Sequence, residues 1–291
     1  MRPLVFVLSL LLASLLAGCV DDDDVQVIAH RGASWDAPEH TFAAWDLALE
    51  RGADWIEQDL QFTRDSVLVV MHDDSLDRTA RGPAADCRGL VRDRALVQLQ
   101  RCEVGSWFNA ENPPRAQLGY VGASIPTLDS VLTRYGRRAR FYIETKSPEE
   151  APGMEEALLV LLRKHRLAGR FADRRRVLVQ SFSGASLERM HALDPDVRLV
   201  QLIDEPIAPD SLDAVFTRIK RYAVGIGPSR RIMTARWVER AHVAGLVMHP
   251  YTVNDSTTMT LLLGLGVDGM FTDRPDLLRR LIGPAEGPTT R

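Results

Sequence analysis

The sequence predicts an α/β chain of eight strand–helix units closed into a (β/α)8 barrel, with one insertion after the second strand. Three observations carry this. Short apolar runs alternate with amphipathic stretches from Val25 to Ile282, and such alternation implies a parallel sheet with helices packed on it. Eight units over that length match the size of a closed barrel. No glycine-rich phosphate loop follows the first apolar run, which disfavours an open doubly wound sheet.

Taken in order, the strands are expected at Val25–His30, Asp54–Leu60, Arg140–Thr145, Arg176–Phe182, Val197–Leu202, Tyr222–Ile226, Leu246–Thr252 and Gly269–Thr272. Each is short and rich in Val, Ile and Leu, the signature of a buried strand. Between them, Thr41–Arg51 carries apolar residues at helical spacing and stops at Gly52, a suitable C-terminal cap. Leu128–Tyr135 stops at Gly136, and Asn254 or Asp255 is placed to cap the helix that follows. The stretch from Gln61 to Ile125 breaks the rhythm. It begins with Val67–His72, expected to return antiparallel after a turn at Arg64-Asp65-Ser66, and continues through a Gly-, Pro-, Arg- and Asp-rich segment. Loops of that length are usually functional, and this one is expected to cover part of the barrel mouth.

The ends read differently. Met1-Arg2, the apolar run Leu4–Leu16 and Leu16-Ala17-Gly18-Cys19 form an export signal whose apolar core is too short to span a bilayer. The cysteine after Ala-Gly resembles a bacterial lipobox, so residues 1–18 are expected to be cleaved and Cys19 lipidated. Asp21–Asp24 would then be a solvated tether, the barrel would occupy 25–283 and a tail 284–291. An exported chain would be held at a membrane, in the periplasm or on the cell surface. Export also makes a Cys87–Cys102 disulfide reasonable, with two buried thiols as the alternative. Such a bridge would contribute about 3 kcal/mol by loop entropy. The formal charge of −3 and mixed surface offer no sign of nucleic-acid binding.

Polar residues cluster at the ends of the early apolar runs: His30-Arg31-Gly32, Glu57-Gln58-Asp59 and His72-Asp73. The ends of parallel strands are where active sites of α/β proteins lie. Glu57 and Asp59 are two apart, so a strand points both to one side, and two such carboxylates repel unless a cation or a proton intervenes. Glu144, ending the next barrel strand, offers a third oxygen. Three carboxylates without a neighbouring cysteine favour one hard divalent cation, Ca²⁺ or Mg²⁺. His30 and His72 are candidates for general base and acid on a phosphodiester, the work for which imidazole is the usual side chain. Arg31 and Lys146 are placed to compensate phosphate charge. Trp107 and Phe108 are expected either to wall the pocket mouth or to pack in the core.

The ordered set of His30-Arg31-Gly32, Ala37-Pro38-Glu39-His40-Thr41, Gly52-Ala53-Asp54, Glu57-Gln58-Asp59, His72-Asp73, Ile125-Pro126-Thr127-Leu128, Glu144-Thr145-Lys146, Gln180-Ser181-Phe182, Thr252-Val253-Asn254 and Thr272-Asp273-Arg274-Pro275 resembles the glycerophosphodiester phosphodiesterase family, in its extracytoplasmic branch. The resemblance spans nearly the whole chain after the leader. It implies a TIM barrel with an insertion in this place, metal ligation by Glu57, Asp59 and Glu144, and catalysis by His30 and His72. The implied reaction is hydrolysis of a small-molecule glycerophosphodiester to sn-glycerol 3-phosphate and an alcohol. Three positions depart from the pattern: His40 stands where Asn is common, Ser66 replaces a turn Gly, and Tyr251 replaces a Trp. Two other readings compete, a phospholipase-D-like lyase on membrane lipid and an inactive phosphodiester-binding lipoprotein. Which histidine is acid, the attacking group, the alcohol and the oligomeric state are left open.

Overall fold

In the computed structural model the described residues are 25–284, so Cys19, the leader and the acidic tether lie outside them. Nine strands form the sheet: β1 Gln26–Ala29, β2 Trp55–Phe62, β3 Leu68–Val70, β4 Phe141–Thr145, β5 Val177–Ser181, β6 Leu199–Ile203, β7 Gly225–Pro228, β8 Val247–Met248 and β9 Gly269–Thr272. They are ordered β8-β7-β6-β5-β4-β2-β1-β9, and every neighbouring pair on this path is parallel. Backbone bonds from Asp268 N to Met248 O (3.1 Å) and Phe271 N to Pro250 O (3.0 Å) bring β8 and β9 together. The result is a nearly closed barrel of eight parallel strands, with β3 antiparallel on β2 outside it.

Local chemistry sets the helices. Thr41 caps Phe42–Glu50 by accepting from Ala44 N, and Thr127 does the same for Leu128–Tyr135 through Ser130 N. Of the two candidate caps for Ser256–Leu265, Asp255 serves, accepting from Thr258 N at 2.8 Å. These oxygens satisfy amides that have no partner inside the helix. No helix among the described residues is long and apolar enough to cross a membrane.

Apolar residues fill two layers. Alternation along the strands sends Ile56 and Leu60 outward against the helices, with Trp45, Phe141, Leu158, Phe216 and Met270 in the same cluster. A smaller cluster inside the barrel holds Ile28, Trp55, Tyr142, Leu178, Val200 and Phe271. The insertion has its own core of Val69, Leu76, Val91 and Leu99, where Cys87 and Cys102 are joined as a disulfide. A second cluster, Ala37, Ala44, Trp107, Phe108 and Tyr120, seats it on the first helix. At Gly105 the packing is so close that a Cβ would fall 1.7 Å from the Tyr120 carbonyl oxygen.

Candidate active site

The C-terminal ends of the strands surround a cavity of about 230 Å³. His30, Arg31, Glu57, Asp59, His72, Glu144 and Lys146 all line it, so the topology brings together the charged residues singled out from sequence. Glu57 and Asp59 lie inside β2 rather than past its end. The strand expected at Asp54–Leu60 runs on to Phe62, where the antiparallel partner β3 pairs with its end.

The register places Asp59 opposite Glu144, and Glu144 opposite Gln180. All four polar residues of this patch, with Glu57, are buried. Burial, then the Asp59 and Glu144 charges, pushes Glu57 well above the ordinary carboxylate range. Burial and the neighbouring Asp59 push Glu144 up to about 8. Burial works against ionisation of Asp59 too, but the His40 hydrogen bond and the Lys146 and Arg31 charges outweigh it and hold Asp59 well below its usual value. Carboxyls this crowded need a shared proton or a cation.

The cations are arranged around them. Lys146 Nζ is 3.1 Å from Glu144 Oε1. Arg31 donates its backbone N–H to Glu57 Oε2 at 2.7 Å, while its guanidinium reaches Glu39 (3.2 Å) and Asp59 (3.6 Å). That posture depends on the His30-Arg31-Gly32 turn. Arg31 has φ 60° and Gly32 φ 91°, and a Cβ on Gly32 would come 2.7 Å from Ala44, so only glycine lets the turn sit on the first helix.

Each histidine is oriented by a carboxylate. His30 Nδ1 lies 2.6 Å from Asp273 Oδ1, and Asp273 is itself held by Ser34 (3.0 Å) and Asn254 (2.5 Å). Burial opposes ionisation of Asp273, yet the His30 charge and these hydrogen bonds keep it below the ordinary value. His72 Nδ1 lies 2.6 Å from Asp73 Oδ1. Asp73 is held low first by that bond, then by Arg78, whose Nε is 2.5 Å away. Ionised carboxylates only accept, so Nδ1 carries the proton in both rings and leaves Nε2 as the reactive nitrogen. Arg78 also forks onto Glu39 (2.6 and 3.0 Å), which joins Arg31 to the His72 side of the cavity.

Several of these partners escaped the sequence reading. Asp273, at the end of the last strand and 243 residues from His30, was visible only as part of a matching tetrapeptide. Its place just past a strand end was the available signal. Arg78 carried none. His40, noted only as a departure, lies with Glu57 and Asp59 in a group whose ligand atoms fall within 4.8 Å of one another. Its Nε2 is 2.8 Å from ionised Asp59 and therefore donates to it, which makes His40 a brace for that carboxylate. Trp107 and Phe108 do not line the cavity: both are buried, Trp107 bonded to the Val104 carbonyl, in the cluster that seats the insertion. The apolar wall is formed instead by Phe182, Leu202, Tyr251 and Phe271, with Phe182 46% exposed and stacked edge-on to Tyr251.

Residues 30–277 match the glycerophosphoryl diester phosphodiesterase family. A glycerophosphodiester phosphodiesterase of Bacillus subtilis (strain 168) is 42% identical over 285 residues, covering 95% of this chain and 96% of that protein. The crystal structure of a glycerophosphodiester phosphodiesterase from Agrobacterium tumefaciens superimposes with a TM-score of 0.70 at 29% identity, over 88% of this chain and 99% of that one. An Oleispira antarctica phosphodiesterase, solved with the product sn-glycerol 3-phosphate, does so with a TM-score of 0.74 at 27% identity, over 88% and 96%. With the barrel, the carboxylate patch and the paired histidines in place, the chain belongs to the glycerophosphoryl diester phosphodiesterase family and is an enzyme of that class.

Proposed function

We propose that the protein hydrolyses glycerophosphodiesters to sn-glycerol 3-phosphate and an alcohol, using one divalent cation and the His30–His72 pair. The observation that carries this is the placement of both histidines, each with a carboxylate behind Nδ1, on one cavity with three buried carboxylates.

The donor set fits a hard cation. Asp59 and Glu144 share a hydrogen bond, and Glu57 and Glu144 are both pushed toward protonation in the absence of added positive charge. Glu57, Asp59 and Glu144 would hold the ion with oxygen ligands of the kind Ca²⁺ and Mg²⁺ prefer. When bound, the ion supplies charge to the phosphate oxygens and lowers the cost of the negative charge that builds in the transition state.

The chain's own residues do the rest. Arg31 and Lys146 face the same cavity and add fixed positive charge, pre-oriented by Glu39 and Glu144. One histidine takes a proton from the nucleophile through Nε2 while the other gives one to the leaving alkoxide. Asp273 and Asp73 hold each ring in the required tautomer and stabilise it when it is charged. The alcohol lies along Phe182, Leu202 and Tyr251, where a Tyr at 251 leaves more room than a Trp.

The same reading has Cys19 lipidated and the enzyme exported and held at a membrane; the support is the apolar run and the Leu16-Ala17-Gly18-Cys19 sequence. The test of function is release of glycerol 3-phosphate from glycerophosphocholine, with and without chelator. Metal-dependent release supports the proposal. Absence of release together with cleavage of lysophospholipid would move it to the lyase reading. Mass spectrometry of the mature N-terminus checks Cys19.

A further inference from the structure

The end of the barrel opposite the active site carries a cavity of about 580 Å³. Five arginines line it, Arg137, Arg138, Arg140, Arg175 and Arg176, against two carboxylates, Asp54 and Asp173. Asp54 is already paired with Arg279 at 2.6 Å. In a chain with 36 basic and 39 acidic residues, this is a local inversion of charge. Arg140 and Arg176 immediately precede β4 and β5, and Arg137 and Arg138 follow the Leu128–Tyr135 helix. The cluster therefore sits where the parallel strands begin.

Four of the five, Arg137, Arg138, Arg175 and Arg176, are not consumed by ion pairs among the described residues. Arg138 and Arg176 donate to backbone carbonyls of Arg134, Gly136 and Ala139, which orders them without cancelling their charge. Arg137 and Arg175 are exposed and make no ion pair among the described residues. Burial depresses Arg176; the Asp173 charge works against this, and the nearby Arg137 and Arg140 add to it.

The path of the chain says what this face meets. Gln26, the first residue of β1, accepts a hydrogen bond from Arg140 at 3.4 Å. The start of the described chain therefore lies beside the arginine cavity. Residues 19–24 span at most roughly 20 Å when fully extended, so an anchor at Cys19 would keep this end close to a bilayer. Close to a membrane, basic residues are attracted over about a Debye length by anionic headgroups.

We propose that the arginine-lined end of the barrel is a docking surface for the anionic phospholipid headgroups of a membrane. Docked this way, the cavity holding His30 and His72 opens away from the lipid and toward water-soluble phosphodiesters. The proposal draws on the lipid-anchor reading for the nearness of a bilayer and on the arginine cluster for the attraction itself, and protein without Cys19 separates the two.

The experiment uses the full chain carrying Cys19→Ala, to which no lipid is attached, and measures flotation with vesicles. Vesicles of phosphatidylcholine alone are compared with vesicles containing phosphatidylglycerol as about one third of the lipid. The apolar leader contributes to both, and Asp21–Asp24 works against the anionic ones. Expected is binding about tenfold stronger to the anionic vesicles, lost as salt is raised. Arg137→Glu/Arg138→Glu/Arg175→Glu should remove that preference while hydrolysis of glycerophosphocholine is unchanged. If the triple variant does not fold, Arg137→Gln/Arg175→Gln should halve the preference or more. Equal binding to the two vesicles, or a preference untouched by these substitutions, overturns the proposal. So does full displacement by millimolar inorganic phosphate at constant ionic strength, which would mark a pocket for a free anion.

Discussion

His30 and His72 face one cavity from two regions that are built differently. His30 stands at the end of β1, and its carboxylate partner comes from the end of β9, the strand hydrogen-bonded to β1. Asp273 is further tied to Ser34 and Asn254. His72 follows β3, outside the closed barrel, and its partner is the next residue, steadied by Arg78 from the insertion. The side chains of His30 and Asp273 are 19% and 24% exposed, and those of His72 and Asp73 31% and 27%. The barrel positions its histidine by main-chain closure. The insertion positions its own by a chain of charged side chains resting on a small disulfide-braced core. The proposed catalytic pair thus joins a rigid half with a half whose order depends on local packing.

The carboxylate patch is common to both halves, so its loss should cost most. Glu57→Ala or Asp59→Ala removes a charge the cation needs, and several kcal/mol of transition-state stabilisation corresponds to a rate loss of roughly 10³ or more. Assays at rising Ca²⁺ or Mg²⁺ check this. Near-normal rates for Glu57→Ala in chelator would end the metal assignment.

His30→Ala and His72→Ala should each lower kcat by about 10²–10⁴, with the two effects less than additive in the double variant. The comparison sharpens one step back from the rings. Asp273→Asn should cost more than Asp73→Asn, because Asp273 is the more embedded partner and Asn would favour the wrong tautomer. Equal losses would mean that the two halves are equally rigid.

Arg78→Ala should lower kcat about 10-fold to 100-fold through a displaced His72, with the barrel's unfolding temperature little changed. Reduction of Cys87–Cys102 should act in the same direction more weakly, with faster proteolysis between Pro83 and Ile125. A global loss of stability on reduction would show that the insertion core is part of the barrel's cooperative unit.

A last effect, on stability and not on rate, is a pH dependence in metal-free protein. Glu144 is pushed up to about 8 from an ordinary value of 4.5, so the folded state holds a proton that the unfolded state has released. Stability should therefore fall as pH rises from about 4.5 through about 8. Saturating metal takes the proton's place and should flatten that slope. Thermal unfolding across this range, with and without Mg²⁺ or Ca²⁺, reads both.

Much of this was legible in the residues. The eight strand positions, the Thr41 and Thr127 regions as helix starts, and the gathering of His30, Arg31, Glu57, Asp59, His72, Glu144 and Lys146 follow from apolar periodicity and from what lies at strand ends. Asp273 and Arg78 did not follow, because their partners depend on which strand closes the barrel and how the insertion folds back. Trp107 and Phe108 illustrate the same limit: an aromatic pair in a long loop reads alike whether it faces a pocket or packs beneath it, and here Ala37, Ala44 and Tyr120 enclose it.

By itself, then, the sequence determined the strand–helix alternation, the two-residue spacing that turns Glu57 and Asp59 to one face, and the chemical types at the strand ends, since these depend on local geometry alone. Only the tertiary structure decided that Asp273 orients His30, that Glu39 and Arg78 join Arg31 to the His72 side, that His40 braces Asp59, and that Phe182 and Tyr251 wall the cavity. Those relations span tens to hundreds of residues, and they exist only once barrel closure has brought distant strand ends within hydrogen-bond reach.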